Sequence, residues 1–302
     1  MVRKALSVSD IISFLGSDII RIDGPIENRI IDNIADASNI TESSLDWVNP
    51  AKSNKQNIAE SSKAVVILVD SSVTSIEGKT LIYVTNPKVA LAKIGNEFFV
   101  EKYDTTIHPT AIINPNAKIG DNVHIGAYSI IGDSVIGDNS VIDANVRIYD
   151  SVVLGKGCYI KSGAILGGAG FGYERDENGN LFRFPQIGSL IMGDDVEVGA
   201  NTCIDRGALS DTIIGNHTKI NNLCHIAHNN VIGNNVAIAG CVNISGGNII
   251  ENDVWIAPNS SIRGYVHIGE HAFVGMGSVV VKDVPAGETW VGNPARKLEK
   301  KP

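Results

Sequence analysis

Residues 214–280 read IGNHTKINNLCHIAHNNVIGNNVAIAGCVNISGGNIIENDVWIAPNSSIRGYVHIGEHAFVGMGSVV. In steps of six from Ile214, the positions are Ile220, Ile226, Ile232, Ile238, Ile244, Ile250, Ile256, Ile262, Ile268, Val274 and Val280, without a miss. Four places after each stands a mostly small or β-branched residue: Thr218, Cys224, Val236, Val242, Val254, Ser260, Val266, Ala272, Ser278 and Val284. Asn230 and Asn248 are the exceptions. A period of six fits neither a helix nor a simple strand. It fits a coil with three flat faces, one hexapeptide per face and eighteen residues per turn, with one aliphatic residue per face turned inward. β-Branched residues suit the extended faces. Gly, Asn and Asp suit the corners.

The beat extends upstream. Ile107, Ile113, Ile119, Ile125 and Ile131 keep it, it slips by one to Ile136, and it resumes through Ile142, Ile148, Leu154, Ile160 and Leu166. This predicts a mainly β chain whose parallel β-helix covers 105–284. A larger break at about 167–188, GGAGFGYERDENGNLFRFPQIG, contains the turn signal DENGN and predicts a protruding hairpin. A smaller break, DRGALSDT, follows Ile204. Loops leaving a rigid scaffold are where function tends to sit. Residues 1–104 lack the beat. Ser7-Val8-Ser9-Asp10 predicts a helix cap, KAVVILV and KTLIYVT predict strands, and Asn86-Pro87 predicts a second helix start, so this part reads as a small α/β domain. Residues 285–302 read as a short tail.

Of the 302 residues, 43% are hydrophobic and 19% charged, so a sizeable core is available. No apolar run is long enough to span a membrane, and MVRKALSVSD lacks the apolar core of a secretion signal, which predicts a cytoplasmic protein. The four cysteines form no CxxC pair, in keeping with a reducing compartment. A net charge of −8 argues against nucleic acid as a partner. Arg296, Lys297, Lys300 and Lys301 gather at the end, either as a solvated tail or as a contact for an acidic partner or a nucleotide phosphate. Flat-sided prisms bury their faces against copies of themselves, so a homotrimer with sites in the clefts between subunits is expected.

Among seven histidines, His228 stands out by position. It is the third residue of its hexad and does not point into the prism. Eighteen residues on is Gly246, so stacking places a bare backbone over the imidazole. A general base beside an unobstructed N–H suits acyl transfer: the base takes a proton from an attacking amine and the N–H stabilises the oxyanion. The bland alternative is an exposed corner histidine on a repeat. A third reading makes His217, His225 and His228 zinc ligands, as in β-helix trimers that hydrate carbon dioxide.

NTCIDRGALSDTIIGN, CHIAHN, the GFGY loop and the following PQIG resemble the UDP-3-O-(3-hydroxyacyl)glucosamine N-acyltransferases of lipid A biosynthesis. The likeness covers nearly the whole chain, including the segment Val48-Asn49-Pro50. The resemblance implies a left-handed β-helix of the hexapeptide-repeat acyltransferases. It implies His228 as general base and Gly246 as oxyanion donor, with Asn221 where the family has an Asp that orients the histidine. Trp47 and Asn49 are the nearest matches to uracil contacts, with Trp47 as plain core the alternative. Phe171, Tyr173 and Gln186 would border the sugar and acyl groups, unless the hairpin is purely structural. Asp205, Asn229 and Tyr265 complete the implied substrate contacts, Tyr265 standing where the family has a second histidine. Met276 is placed at the floor of an acyl groove, or is a gap-filling methionine. No metal and no tightly bound cofactor are implied. The acyl-thioester donor, acyl carrier protein or CoA, is a cosubstrate, and the acceptor is a nucleotide-linked amino sugar.

There are departures. Asn221 replaces the Asp, and an amide cannot stabilise an imidazolium as a carboxylate does. Ala51-Lys52 follows Pro50 where the family has an aromatic. The ending VKDVPAGETWVGNPARKLEKKP resembles CoA-dependent sugar acetyltransferases rather than the family's helical extension. A CoA-dependent enzyme acylating a surface-polysaccharide amino sugar is therefore the main alternative. From another class, a non-catalytic trimeric scaffold uses the same prism.

Overall fold

The computed structural model describes residues 5–299, and its contacts divide the chain into two units, the first ending at Lys102. The expected boundary at 104 falls two residues later. In the first unit, helix α1 (Val8–Leu15) starts at Ser7, whose hydroxyl accepts from Asp10 N–H while the Asp10 carboxylate accepts from Ser7 N–H. Those two bonds satisfy donors that a helix start leaves open. Helix α2 spans Lys55–Ser61. Helix α3 (Pro87–Phe98) begins with proline and is capped by Asn86, which accepts from Val89 N–H. A five-stranded sheet runs in the order Ile19–Asp23, Thr80–Val84, Val66–Val69, Ser44–Trp47, Asn33–Ile34, parallel except at its first pair. Val66–Val69 is central and wholly buried, with separate apolar clusters on the two faces, which is why it reads as a continuous aliphatic run.

The second unit is a left-handed parallel β-helix whose three faces carry ten, nine and eight strands. Most strands are two residues long, and the second residue is the beat residue. Every beat residue from Ile214 to Val280 is 2% exposed or less. Each such buried Ile contributes roughly 1.5–3 kcal/mol, so this column dominates the stability of the unit. In the first coil of the unit the beat residue Ile107 is exposed. The corners take one residue per hexad into the left-handed region, among them Asn145, Asn201, Asn229, Asn235 and Asn259. Asn tolerates that region better than most residues. Leu223 and Tyr265 adopt it as well.

Three irregularities interrupt the ladder. Lys118 pairs with Val135, one residue short of a full turn, which accounts for the slip before Ile136. Leu154 pairs with Met192, because the larger insertion leaves the prism as a hairpin pairing Tyr173–Arg175 with Leu181–Arg183. Glu197 pairs with Lys219, because residues 206–211 bulge outward. The segment from 285 is not a tail. Thr289–Val291 adds a strand to the ten-stranded face, Arg296–Lys297 folds back on it, and Ala295 is fully buried. Lys297 pairs with Glu288 at 2.5 Å, which separates it from the expected basic cluster. Lys300 and Lys301 lie outside the described residues. Among the described residues no helix is long and apolar enough to cross a membrane.

Candidate functional site

His228 sits on the corner between strands His225–Ile226 of the nine-stranded face and Val231–Ile232 of the eight-stranded face. One coil on, the same corner carries Gly246, and the next carries Tyr265. The hairpin and the 206–211 bulge leave the prism at this corner too.

The imidazole is held by its neighbour. His228 Nδ1 lies 2.8 Å from Asn229 Oδ1. The same oxygen accepts from Ala208 N–H at 3.0 Å, while Asn229 Nδ2 donates to the Ser210 carbonyl and hydroxyl, both at 2.9 Å. Those contacts fix which end of the amide is which: an oxygen faces the Ala208 N–H, and an NH2 faces the Ser210 carbonyl. Nδ1 must therefore carry a proton, so in the neutral ring the lone pair sits on Nε2. The bulge thus acts as a clamp. Its backbone grips Asn229, Thr212 Oγ1 accepts from Asn229 N–H at 2.8 Å, and Asn229 sets the tautomer of His228.

Gly246 faces the free side of the ring. A Cβ placed on it would stand 2.9 Å from Cε1 and 3.1 Å from Nε2 of His228. Gly247 N–H donates to the His228 carbonyl at 3.0 Å, which locks the two coils in register. The Gly246 N–H has no partner among the described residues. A ring whose neutral form presents Nε2 next to a glycine backbone with an unengaged N–H is a suitable arrangement for attack of a nucleophile on a carbonyl.

The hairpin closes over the ring from the other side. A Cβ on Gly170 would lie 3.0 Å from His228 Cβ and 3.1 Å from Gln186 Oε1, so only a glycine backbone passes between the two side chains. Gln186 Oε1 is buried without a partner, an acceptor left open beside the imidazole. Phe171 is 82% exposed, with its ring 4.9 Å from that of Tyr173, and Arg183 donates to Tyr173 Oη at 3.1 Å. Asp205 Oδ2 lies 3.2 Å from His225 Nε2. That hydrogen bond holds the His225 pKa above its ordinary value, against the opposing effect of burial. Tyr265 is 83% exposed and packs its ring on Gly247.

Asn221 and Met276 stand elsewhere. Both lie on the corner between the ten- and nine-stranded faces, after Lys219–Ile220 and Phe273–Val274 respectively. Asn221 Oδ1 accepts from Asn222 N–H, and within the chain the partner of His228 is Asn229, not Asn221. Met276 is exposed. The zinc reading loses its convergence. His217 bonds Asp195 on the third corner, His225 bonds Asp205, and His228 bonds Asn229.

In the first unit, Trp47 is half-buried and lines a cleft of about 630 Å³ with Asp32, Asn33, Lys88, Asn96 and Phe99. It is at once part of the core margin and part of a cavity wall. Asn49 does not line this cleft. Its Oδ1 accepts from Ala51 N–H at 3.0 Å and closes a local turn.

Sequence reasoning missed the Asn229 clamp. The available signal was an Asn directly after the histidine, one place before a shortfall in the small-residue pattern. It also missed a column of outward aliphatics on the eight-stranded face, Val135, Val153, Ile191, Ile213, Val231 and Ile249, aligned strand to strand and exposed.

Comparison with known proteins places this geometry in a family. Residues 249–282 match the family model for bacterial transferase hexapeptide (six repeats), and residues 96–208 match that for the GMPPB C-terminal domain. The chain is 35% identical over 219 residues to a UDP-3-O-acylglucosamine N-acyltransferase of Coxiella burnetii, covering 66% of this chain and 64% of that protein. It is 39% identical over 195 residues to one of Pseudomonas syringae pv. tomato, covering 58% and 55%. The chain thus spans less than two thirds of the length of these relatives. Among solved structures, a UDP-N-acetylglucosamine O-acyltransferase of Moraxella catarrhalis RH4 superposes with a TM-score of 0.58 at 32% identity, covering 64% of this chain and 73% of that one. With the beat, the three-faced prism and the corner histidine in place, the chain belongs to the hexapeptide-repeat acyltransferases.

Proposed function

We propose that the chain transfers an acyl group from a thioester donor, acyl carrier protein or CoA, to the amine of a nucleotide-linked amino sugar. The observation that carries this reading is His228, whose Nδ1 is engaged by Asn229 so that Nε2 is the basic nitrogen of the neutral ring, with the backbone of Gly246 packed against that side. The amine attacks the thioester carbonyl, Nε2 takes the amine's proton, and the Gly246 N–H holds the oxyanion. Collapse forms the amide and expels the thiolate, which recovers the proton from the imidazolium. The names of the Coxiella and Pseudomonas relatives support UDP-3-O-acylglucosamine as the acceptor. Gln186, Tyr173, Phe171, Asp205 and Tyr265 belong to the same corner or to the hairpin that leaves it, and are proposed to contact sugar and acyl groups. Trp47 and its cleft are proposed to hold the nucleotide base.

The working form is proposed to be a homotrimer. A flat outward column of six aliphatics needs a cover, and a self-complementary packing of prisms supplies one. Asn221 and Met276 reach a base only if the corner that carries them faces another chain's His228. The four cysteines are free thiols, which fits the cytoplasm.

One observation favours a second reading, transfer from CoA to an amino sugar of a surface polysaccharide. Gly292–Ala295, the segment resembling the CoA enzymes, is packed onto the strand edge at Ser278 and Val279, next after Met276. A donor–acceptor assay tests both. Acetyl-CoA and 3-hydroxyacyl carrier protein are paired with a panel of UDP- and dTDP-linked amino sugars. Transfer from the carrier protein to UDP-3-O-acylglucosamine is expected. Transfer from CoA alone favours the second reading. No transfer, with His228→Ala indistinguishable from the unmodified chain, leaves a scaffold.

A further inference from the structure

Asn230 and Asn248 break the repeat at the inward position four residues after the beat, and both are 0% exposed. The same position in neighbouring coils holds Val236, Val242, Val254 and Val266, so an apolar side chain is enough to build such a corner. A buried amide costs stability unless every polar atom is paired. Here each one is. Asn230 Nδ2 donates to the Ala227 carbonyl at 2.6 Å, and Asn230 Oδ1 accepts from Asn248 N–H at 3.0 Å. Asn248 Nδ2 donates to the Ser245 carbonyl at 2.5 Å, and Asn248 Oδ1 accepts from Val266 N–H at 2.8 Å.

The location gives the pairing its meaning. The first bond closes the turn 227–230, which carries His228 and Asn229. The third closes the turn 245–248, which carries Gly246 and Gly247. The second ties one turn to the other through the interior of the prism. In this corner column Leu190 lies one coil beyond Thr212, and Val266 lies beyond Asn248, so the two amides occupy the two coils that carry the base and the N–H.

We propose that Asn230 and Asn248 form a two-rung amide ladder that sets the spacing between His228 and Gly246, and that they are positioning residues for acyl transfer. This rests on the roles assigned to His228 and Gly246 above. Neither amide touches substrate; they act from behind the site.

The test compares Asn230→Val, Asn248→Val, the double variant and Asn230→Ser. Serine can make both contacts: at an equivalent inward position Ser260 Oγ donates to the Ala257 carbonyl at 2.8 Å, and the Thr218 hydroxyl accepts from Val236 N–H at 3.2 Å. The valine variants are expected to lose about 10- to 100-fold in kcat, with KM for donor and acceptor within about twofold and the thermal midpoint kept. Asn230→Ser is expected to recover most of that loss. Full kcat in the double variant, or a loss that follows the thermal midpoint and is not recovered by serine, overturns the ladder. A second readout needs no turnover. In 1H–15N NMR the Gly246 amide, which lies against the His228 ring, is expected to give one sharp resonance in the unmodified chain and a shifted, broadened one in the double variant. An unchanged spectrum overturns the ladder, whereas an unmodified chain inactive toward every donor overturns the functional reading and leaves the spectrum to decide the ladder.

Discussion

His228 Nδ1 and Asn229 Oδ1 lie 2.8 Å apart, and the Asn229 amide is itself fixed by Ala208 and Ser210. The tautomer of the base is thus set by a bulge that has left the repeat. Asn229→Ala is expected to lower kcat by about 100-fold, the usual weight of a positioned base. It also leaves the Ala208 N–H and Ser210 carbonyl without their partner, at a cost of about 1–3 kcal/mol in denaturant unfolding. Steady-state kinetics with a urea titration checks both, and unchanged kcat with lowered stability would reduce Asn229 to a structural role.

Gly246→Ala separates geometry from fold. Its φ lies outside the left-handed region, so alanine is permitted by the backbone. The new methyl meets Cε1 and Nε2 of His228 and fills the space beside the N–H. Alanine keeps the backbone N–H, so the methyl acts by displacing the ring, and a fall of about 100-fold in kcat is expected, as for a misplaced general base. Retained activity would show that the position of the His228 ring against Gly246 does not matter for turnover.

The Asp205–His225 pair makes stability depend on pH. The folded pKa of His225 lies above its unfolded value of about 6.5. The stabilisation is therefore complete below about pH 6.5 and is lost as pH rises through the folded pKa. A thermal midpoint that declines across that window is expected, and Asp205→Asn should flatten the decline. An equal slope in both proteins would assign it to another group.

The aliphatic column of the eight-stranded face makes a prediction about assembly. Val231 lies within it, beside Ile213 and Ile249. Val231→Glu places a charge on that stripe without touching the inward core and is expected to yield a folded monomer by sedimentation. A trimer that persists would put the interface on another face.

Much of this molecule was legible because the beat residues do one job in every coil: Ile220 and Ile256 are interchangeable in role, so periodicity alone finds them. Ser7 and Asn86 were legible for a similar reason, since a cap is chemistry within four residues. The remainder depends on contacts that periodicity does not encode. Asn229 meets Ala208 and Ser210 because an aperiodic bulge folds back on it. The strand at Thr289–Val291 escaped because Val274 pairs with Trp290, sixteen residues on rather than eighteen. Gln186 was found by its motif, but its unpaired oxygen depends on how Gly170 passes beneath it.

The insertion that carries Gln186 also bears on how the chain folds. In a solenoid each coil templates the next, so order spreads along the axis like a closing zip. Elsewhere the growing end captures a segment about eighteen residues away, as when Ile142 receives Ile160. At Leu154 it must wait for Met192, 38 residues on. Doubling the loop costs only about 0.6 kcal/mol in closure entropy, too little to divide the prism into separately stable halves. It is nonetheless the longest reach along the axis: growth from the N-terminal end meets it before the coil that carries His228, and growth from the C-terminal end meets it only after that coil is joined to both neighbours.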